Sequence, residues 1–300
     1  MQTNQRSNLR SNQPKLLPKF QAFLREREYI SNVTARTLEW HAQSLKWLST
    51  SANPEQPTAD DIKELIVRMR QSGLKASSVN CRLRSIQAYL RWSGSEIVCP
   101  KLKEEQAVLP SFSKDDIRKF CDWKPCTIFQ HRLQVLILLL ADTGVRVGEA
   151  CGLKWSDIDL NNLLLTVMGK GRKSRTIPFS PALRKYLVRF ERRQAGSMTG
   201  SMTGSMTGFV FFTRTGNTLG SRTVNRDVHA LCEKLSIRKP KRIVHALRHS
   251  YALGALRAGA STMHVMRMLG HSSVVQTQRY CQLLTEDLSA CHARIGSLVA

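Results

Sequence analysis

The stretch LGHSSVVQTQRY, residues 269–280, places a tyrosine nine residues after a histidine and directly after an arginine. Gly270 is suited to end one helix, and Ser272 or Ser273 to cap the next. Tyr280 is a weak nucleophile, because a phenol with a pKa near ~10 needs surrounding cations before it attacks an electrophile. A phosphodiester held by arginines meets that need. An exposed Arg-Tyr pair is more often a solvated helix face, so the preceding chain decides between the two interpretations.

The charge of the chain indicates a polyanionic partner. Its 300 residues include 46 Lys and Arg but only 22 Asp and Glu, which gives a formal net charge of +24. Basic groups outnumber acidic ones both before and after residue 110. No apolar run approaches the ~18 residues of a membrane span, and no signal-peptide pattern opens the sequence. Nucleic acid is therefore the expected partner, and a membrane is not.

The cysteines indicate neither a metal site nor a disulfide framework. All eight lack metal-ligand spacing and CxxC pairs, and several lie within apolar helical patterns. They are expected to be small core hydrophobes of a protein in a reducing cytoplasm. No acidic cluster suited to Mg²⁺ and no P-loop is apparent, so we expect no metal and no other cofactor.

The first 95 residues predict a polar tail and four helices. Residues 1–14 lack periodicity and are expected to be disordered. Helices are expected over about 16–28, 33–50 and 58–69, and from about 77 onward. Thr58 followed by Asp61 is typical of a helix start. The fourth helix is basic, and its cations predict either a solvated face or phosphate contacts: Lys75, Arg82, Arg84 and Arg91.

An aperiodic stretch separates two basic parts of the chain. Residues 93–110 contain two prolines and a charged middle, which predicts a flexible joint. We place the first domain at residues 15–95, the linker at 96–110 and the second domain at 111–300. Such a joint would let the protein close around a duplex.

The second domain begins with two predicted helices. A capped helix is expected over about 114–122, and the apolar run 135–141 predicts a buried one. Arg146 and Glu149 follow it. Their spacing is by default that of a surface ion pair. However, Arg146 comes directly after a buried helix and a glycine, which places it at a wall of the core.

A β-hairpin is predicted over residues 163–179, because two strand-like runs flank the turn GKGRKS. Lys170 and Lys173 lie at its tip, where an ammonium group either reaches a phosphate or only solubilises the turn. After it we expect a helix, a flexible loop of GSMTG repeats, a short strand and another helix, over residues 181–192, 196–208, 209–212 and 223–235.

The segment HALRHSYA, residues 245–252, adds further candidates. His245 and Arg248 are three apart, so on a helix they project from one face. His249 is interpreted as a histidine bonded to backbone near the site. The complete ordered series is specific although its members singly are not: Arg146, Lys170, His245, Arg248, His271 and Tyr280.

Four motifs resemble the tyrosine recombinase family, which includes phage integrases and Xer-like enzymes. They are ADTGVRVGEACGLKWSDID, VMGKGRKSRTIPF, HALRHSYA and LGHSSVVQTQRY, and the resemblance extends over about residues 15–295. It implies a mainly α fold with a small β-sheet. Residues 15–95 would form a four-helix, SAM-like core-binding domain, and residues 111–300 a mixed α+β catalytic domain. Together they would form a C-shaped clamp on DNA.

The resemblance also implies site-specific recombination through a 3′-phosphotyrosyl intermediate. Arg146 and Arg248 would hold the non-bridging oxygens of the scissile phosphate, and His271 would add a hydrogen bond. Tyr280 would be the nucleophile, and Lys170 the general acid for the departing 5′ oxygen.

Further residues receive supporting roles from the same resemblance. His245 would assist proton transfer, and Glu149 would orient the site. Lys173 joins the four cations of the first domain as a candidate DNA contact. The GSMTG repeat departs from the family pattern, and the N-terminal tail shows no arm-site DNA-binding domain, which favours recombinases that act on short core sites.

The implied partners are double-stranded core sites with inverted half-sites, a homo-tetramer on synapsed DNA, and accessory DNA-bending proteins. The reaction would serve integration, excision or resolution, as on a mobile element, at the nucleoid of a bacterial cytoplasm. It needs no nucleotide cofactor, because the tyrosyl ester conserves the bond energy. Two alternatives remain: a type IB topoisomerase, which shares the catalytic groups, and a DNA-binding regulator without chemistry.

The tail after Tyr280 bears on the choice among these functions. An apolar stripe recurs there at helical spacing: Leu284, Leu288, Cys291, Ile295 and Leu298. The stripe either packs on its own domain or, as the resemblance implies, is donated to a neighbouring protomer in a cyclic tetramer. Donation disfavours the topoisomerase, which acts as a monomer.

Overall fold

The structure, a computed structural model, describes residues 16–104, 109–169, 174–197 and 208–270, together with Thr277 and Tyr280. The chain divides into two compact units, residues 1–107 and 108–300. As expected, the fold is mainly helical with one small sheet. No helix in the described ranges is long and apolar enough to cross a membrane.

The first unit contains the four predicted helices: α1 (Pro18–Tyr29), α2 (Ala35–Leu48), α3 (Ala59–Gln71) and α4 (Ala76–Trp92). The predicted capping box starts α3, where the Thr58 hydroxyl accepts from the Asp61 backbone N–H and the Asp61 carboxylate accepts from the Thr58 N–H. The predicted inward residues of α3 and α4 are buried: Ile62, Leu65, Ile66, Met69, Val79, Leu83, Ile86 and Leu90.

Residues 97–104 lie along α4, where the sequence predicted a free joint. Gln87 donates to the Ile97 carbonyl at 2.9 Å and accepts from the Cys99 N–H at 2.6 Å. The buried Asn80 makes the same pair of bonds with Leu102, each 2.9 Å long. Two side-chain amides of α4 thus satisfy the backbone of this segment, a possibility that its proline content does not reveal.

The second unit is built on a buried helix. Its helices are α5 (Lys114–Asp122), α6 (Ile128–Thr143), α7 (Val147–Cys151), α8 (Pro181–Ser197), α9 (Ser221–Lys234), α10 (Ile243–Arg257) and α11 (Thr262–Leu269). As predicted, α6 is buried along most of its length, and it contacts α5, α7, α8, α9 and α10. It ends at Gly144, whose φ of +64° is the left-handed conformation that favours glycine.

Three antiparallel strands form the sheet, in the order β1 (Ile158–Asp159), β2 (Leu164–Met168) and β3 (Ser174–Pro178). The two strands of the predicted hairpin are confirmed, and Leu165 pairs with Ile177 on the buried face. The hairpin tip at residues 170–173 and most of the GSMTG repeat lie outside the described residues.

The short strand predicted over residues 209–212 is wrong. Phe209 and Phe212 each form an isolated bridge, to Lys154 and Thr218 respectively. Val210 and Phe211 are buried, so the apolar run reflects core packing rather than strand pairing.

The cysteines follow the prediction in part. Cys151 and Cys232 are buried, and burial raises the pKa of each thiol to about 11. Cys126 is exposed, because it lies in the connection that precedes α6 rather than within a helix. Cys281 and Cys291 lie outside the described residues.

Candidate active site

Three consecutive carbonyl groups at the end of α11 each accept a hydrogen bond from a different arginine. The pairs are Arg175 Nε with Met268 O at 3.3 Å, Arg248 Nη2 with Leu269 O at 2.7 Å, and Arg146 Nη2 with Gly270 O at 3.1 Å. The last carbonyls of a helix lack partners within the helix and lie at the negative end of its dipole. The end of α11 therefore gathers guanidinium groups from three separate elements.

Gly270 is required at this turn for two reasons. Its φ of +63° is left-handed, and a Cβ at this position would lie 2.9 Å from Cζ of Arg175. A larger residue would therefore both strain the backbone and displace the guanidinium. The prediction that Gly270 ends a helix is confirmed.

Glu149 connects two of these arginines. Its Oε1 accepts from Arg146 Nη1 at 2.9 Å and from Arg175 Nη1 at 3.0 Å. Its Oε2 accepts from the Arg146 backbone N–H and from Arg175 Nη2, both at 2.8 Å. The Glu149 side chain is only 8% exposed and that of Arg146 is 39% exposed, so the carboxylate lies in a wall of the core and the guanidinium at its surface. Burial alone raises the pKa of Glu149, but the hydrogen bonds from Arg175 and Arg146 outweigh it and hold that pKa below its usual value.

Arg248 is buried, and its guanidinium joins two helix ends. Nη1 donates to the Gly144 carbonyl at the end of α6, at 2.6 Å, while Nη2 reaches the end of α11. Burial, followed by the nearby charge of Arg146, lowers the pKa of Arg248 to about 10. The side chain is therefore still charged at neutral pH.

The two histidines of α10 lie on either side of Arg248 in sequence. Their rings meet edge to face, with centroids 5.3 Å apart. His245 reaches solvent, yet partial burial of its ring and the charges of Arg248 and Arg242 lower its pKa. Stronger burial, with the neighbouring His245, lowers the pKa of His249 to about 4, so His249 is neutral at pH 7.

Among the described residues, His249 bonds to a side chain and not to backbone as predicted. Its Nδ1 lies 2.8 Å from the hydroxyl of Tyr280. Neutral imidazole can accept the phenolic proton in this contact, which explains why a side-chain partner replaces the expected carbonyl.

Tyr280 itself is buried, with 3% of its surface exposed. It packs in a small cluster with residues of α10 and α11: Ala252, Leu253, Val265 and Leu269. Burial raises the pKa of the Tyr280 phenol, and the nearby Arg248 charge opposes that rise. The structure therefore brings Tyr280 to the helix that bears Arg248, His245 and His249.

The site as described does not include every predicted residue. Lys170, Lys173 and His271 are outside the described residues. The four DNA-binding candidates belong to the first unit, where Lys75, Arg84 and Arg91 are exposed. Arg82 is half-buried, and its Nε has no hydrogen-bond partner among the described residues.

Arg175 is the site residue that sequence reasoning missed. It lies on β3 two residues before the buried Ile177, and β-strand side chains two apart share a face. An arginine at an inward position of a strand needs a buried acidic or carbonyl partner. That alternation is the signal that could have identified it.

No group of three His, Cys, Asp or Glu side chains that could hold a metal ion occurs within the described ranges. The arrangement instead suits an anion. Three guanidinium groups converge on the turn 268–270, and Glu149 of α7 is the one described carboxylate bonded to them. Two imidazoles lie on the adjoining helix α10, and the phenol of Tyr280 contacts one of them.

The chain matches the sequence profile of the Phage integrase family over residues 111–287. It is 30% identical to tyrosine recombinase XerA of Pyrococcus furiosus over 247 residues, which cover 81% of this chain and 82% of that protein. It is also 30% identical to tyrosine recombinase XerD of Bifidobacterium longum over 270 residues, covering 82% and 85%.

Two solved structures share the fold. One is the Tn1549 transposon integrase in complex with transposon right end DNA, with a TM-score of 0.74 and 17% identity over 94% of this chain and 100% of that chain. The other is the XerH site-specific recombinase bound to a palindromic difH substrate, with a TM-score of 0.72 and 17% identity over 91% and 84%.

Proposed function

The chain belongs to the phage integrase family of site-specific tyrosine recombinases, enzymes that cleave and rejoin DNA through a catalytic tyrosine, and we propose that its nucleophile is Tyr280. The observation that supports this choice is the convergence of Arg146 and Arg248 on one helix turn beside the helix that Tyr280 contacts. Two adjacent guanidinium groups provide the charge that a phosphodiester under attack requires.

Arg146 and Arg248 hold the non-bridging oxygens of the scissile phosphate in this proposal. A guanidinium has five N–H donors. Among the described residues, each of these arginines uses its two terminal nitrogens to fix its own position. The remaining N–H groups are left for phosphate oxygens, and the preset geometry lowers the reorganisation needed during the reaction.

The reaction proceeds by exchange of one phosphodiester for another. The Tyr280 oxygen attacks phosphorus, the bond to the 5′ oxygen breaks, and a 3′-phosphotyrosyl ester forms. His245 takes up the phenolic proton of Tyr280, Lys170 gives a proton to the departing 5′ oxygen, and His271 donates a hydrogen bond to the phosphate. The free 5′ hydroxyl of the partner strand then attacks the phosphotyrosyl ester, which joins the strands and frees Tyr280. Neither nucleotide hydrolysis nor a bound metal is part of the proposal.

The proposed substrate is double-stranded DNA with inverted half-sites. Residues 15–95 act as a core-binding domain, and residues 111–300 as the catalytic domain. Phosphates are contacted by the cations Lys75, Arg82, Arg84, Arg91 and Lys173. Because the proposed substrate is DNA, the proposed location is the nucleoid. Because cations displace counterions from DNA, the affinity is expected to fall steeply with salt. Replacing the exposed Arg84 by Gln should reduce the slope of log affinity against log salt concentration by the amount expected for about one phosphate contact.

A duplex for these tests is obtained by selection. Wild-type protein enriches binding sites from a random pool of double-stranded oligonucleotides, and the best member, the selected duplex, is made with a nick beside the mapped cleavage position. Loss of the short fragment then traps the covalent adduct. We expect adducts with wild type and about 10²-fold fewer with Arg248→Ala, while Arg84→Gln cleaves at a normal rate once the duplex is saturated. Specific binding without any adduct from wild type would support a regulator instead.

The proposal includes a tetramer on two synapsed sites, in which the apolar tail of each protomer docks on a neighbour. That tail lies outside the described residues. Deleting residues 285–300 is expected to leave a protein that binds one half-site but does not pair two selected duplexes, as measured by light scattering and native gels. Paired duplexes at normal abundance would refute the exchange of tails. An unfolded truncation would show that the tail packs on its own domain.

A further inference from the structure

We propose that Arg175 is a positioning residue for strand cleavage, which holds both Arg146 and the end of α11 in the arrangement that the scissile phosphate requires. This inference rests on the proposed function, because it takes Arg146 as a ligand of the phosphate. Arg175 acts through its neighbours, so its contribution is separable from that of the residues that touch DNA.

The first observation is the fork between Arg175 and Glu149. Two parallel N–H bonds, at 3.0 and 2.8 Å, join the guanidinium to both carboxylate oxygens. Bidentate pairs fix the orientation of both groups, which a single bond does not. The same two oxygens accept from the side chain and the backbone of Arg146. Arg175 therefore fixes the carboxylate on which Arg146 is held.

The second observation is independent of Glu149. Nε of Arg175 donates to the Met268 carbonyl, and its Cζ lies so close to Gly270 that a Cβ there would displace the guanidinium. The next two carbonyls of the turn, those of Leu269 and Gly270, hold Arg248 and Arg146. Arg175 thus contacts both supports of Arg146, the carboxylate and the turn, and one of the two supports of Arg248.

Charge gives Arg175 a second effect on the same site. Its side chain is 16% exposed and that of Glu149 is 8% exposed, so their attraction is weakly screened. Without Arg175, the charge of Arg146 alone would offset the Glu149 carboxylate. The Arg146 guanidinium would then attract a phosphate less strongly. With Arg175 present, Arg146 is oriented by Glu149 while the cluster keeps a positive excess.

The test compares Arg175→Met, which removes the charge and the fork, with Arg175→Lys, which keeps only the charge. Both are assayed in the full-length protein on the nicked selected duplex, with either a phosphate or a neutral methylphosphonate at the cleavage position. We expect unchanged duplex affinity and cleavage about 10²-fold slower for Arg175→Met, because small misplacements of a catalytic group cost that much. Arg175→Lys is expected to be intermediate.

The methylphosphonate separates positioning from general structural damage. It lacks one negative oxygen, so it depends less on Arg146, and the loss caused by Arg175→Met should shrink on it by at least about tenfold. Adding Arg175→Met to Arg146→Ala should cause little further loss, because coupled residues are not additive. Equal losses on both substrates, or fully additive losses, would overturn the proposal.

Thr176→Val is the matched control, since Thr176 is the exposed neighbour of Arg175 on β3 and its hydroxyl lies 3.4 Å from that of Thr166 across the hairpin. It should cleave normally on both substrates. If Arg175→Met fails to fold, as judged by the loss of a cooperative melt, the cleavage of the phosphate and methylphosphonate duplexes is compared with Arg175→Lys instead. Normal cleavage by both variants, together with slowed but measurable cleavage by Arg146→Ala, refutes the role of Arg175 but not the proposed function. If the wild-type protein does not cleave the nicked selected duplex, the proposed function itself is refuted.

Discussion

The hydroxyl of Tyr280 lies 2.8 Å from Nδ1 of His249, the residue directly after Arg248. Because His249 is neutral at pH 7, its Nδ1 is able to accept a hydrogen bond from the Tyr280 hydroxyl, and burial keeps this proposed nucleophile as an uncharged phenol. To attack a phosphate, Tyr280 must exchange this partner for the DNA.

We therefore expect His249→Ala to remove one contact of the Tyr280 hydroxyl. The variant should lose about 1 kcal/mol of unfolding free energy, as for one hydrogen bond, and its Tyr280 should be nitrated faster by tetranitromethane. His245→Ala is the control, because it removes the neighbouring imidazole but leaves the bond to Tyr280. Equal nitration of Tyr280 in His249→Ala and wild type would show that His249 does not hold the phenol.

Gly270→Ala should impair the site more than its backbone strain explains. The left-handed φ alone costs about 1 kcal/mol for a non-glycine residue. Gly208 has a similar φ of +67°, and a Cβ there would meet no atom of the described residues within 4 Å, so Gly208→Ala is the control for that strain. We expect Gly270→Ala to have the lower melting temperature of the two, and only Gly270→Ala to slow cleavage of the nicked selected duplex. If both variants changed the melting temperature and the cleavage rate equally, Arg175 would move away from the added methyl group without cost to the site.

Much of this architecture is present in local sequence patterns. Thr58 with Asp61 starts α3 as predicted, and the predicted cap of α5 is formed by Ser113 with Asp116, because a capping box involves residues only three apart. Arg175 could not be assigned in the same way, since its partners Glu149 and Met268 are 26 and 93 residues away. The bond from His249 to Tyr280 likewise spans 31 residues, and no periodicity encodes such a pairing.

Lys170→Ala should be rescued by a substrate with sulfur at the 5′ bridging position. The variant is expected to cleave normal DNA about 10²-fold slower or worse, whereas a sulfur leaving group departs without a proton. Lys173→Ala is the comparison from the same turn and should show no such rescue. If the sulfur substrate restores Lys173→Ala instead, Lys173 is the general acid.

Protein stability should decrease between pH 6.5 and 4 through His41. Burial, followed by the charge of Arg27, lowers the pKa of His41 from 6.5 to about 4. The unfolded chain therefore binds a proton in this window that the folded chain does not, so stability falls as pH falls. The full effect is about 3 kcal/mol. Nδ1 of His41 lies 2.7 Å from the Ser85 hydroxyl. His41→Asn keeps a polar group that can bond Ser85 but does not titrate, so it should show a shallower decline of melting temperature with pH. An unchanged slope would assign the proton uptake to other groups.

The central claim is that Tyr280 forms the covalent bond to DNA, and peptide mass spectrometry of the trapped adduct tests it most directly. Wild-type protein is incubated with the nicked selected duplex, the adduct is digested with nuclease and protease, and the modified residue is identified. We predict a nucleotide phosphate on Tyr280, and a Tyr280→Phe variant that binds the duplex with normal affinity yet forms no adduct. An adduct on another residue, or one formed by Tyr280→Phe, would contradict it.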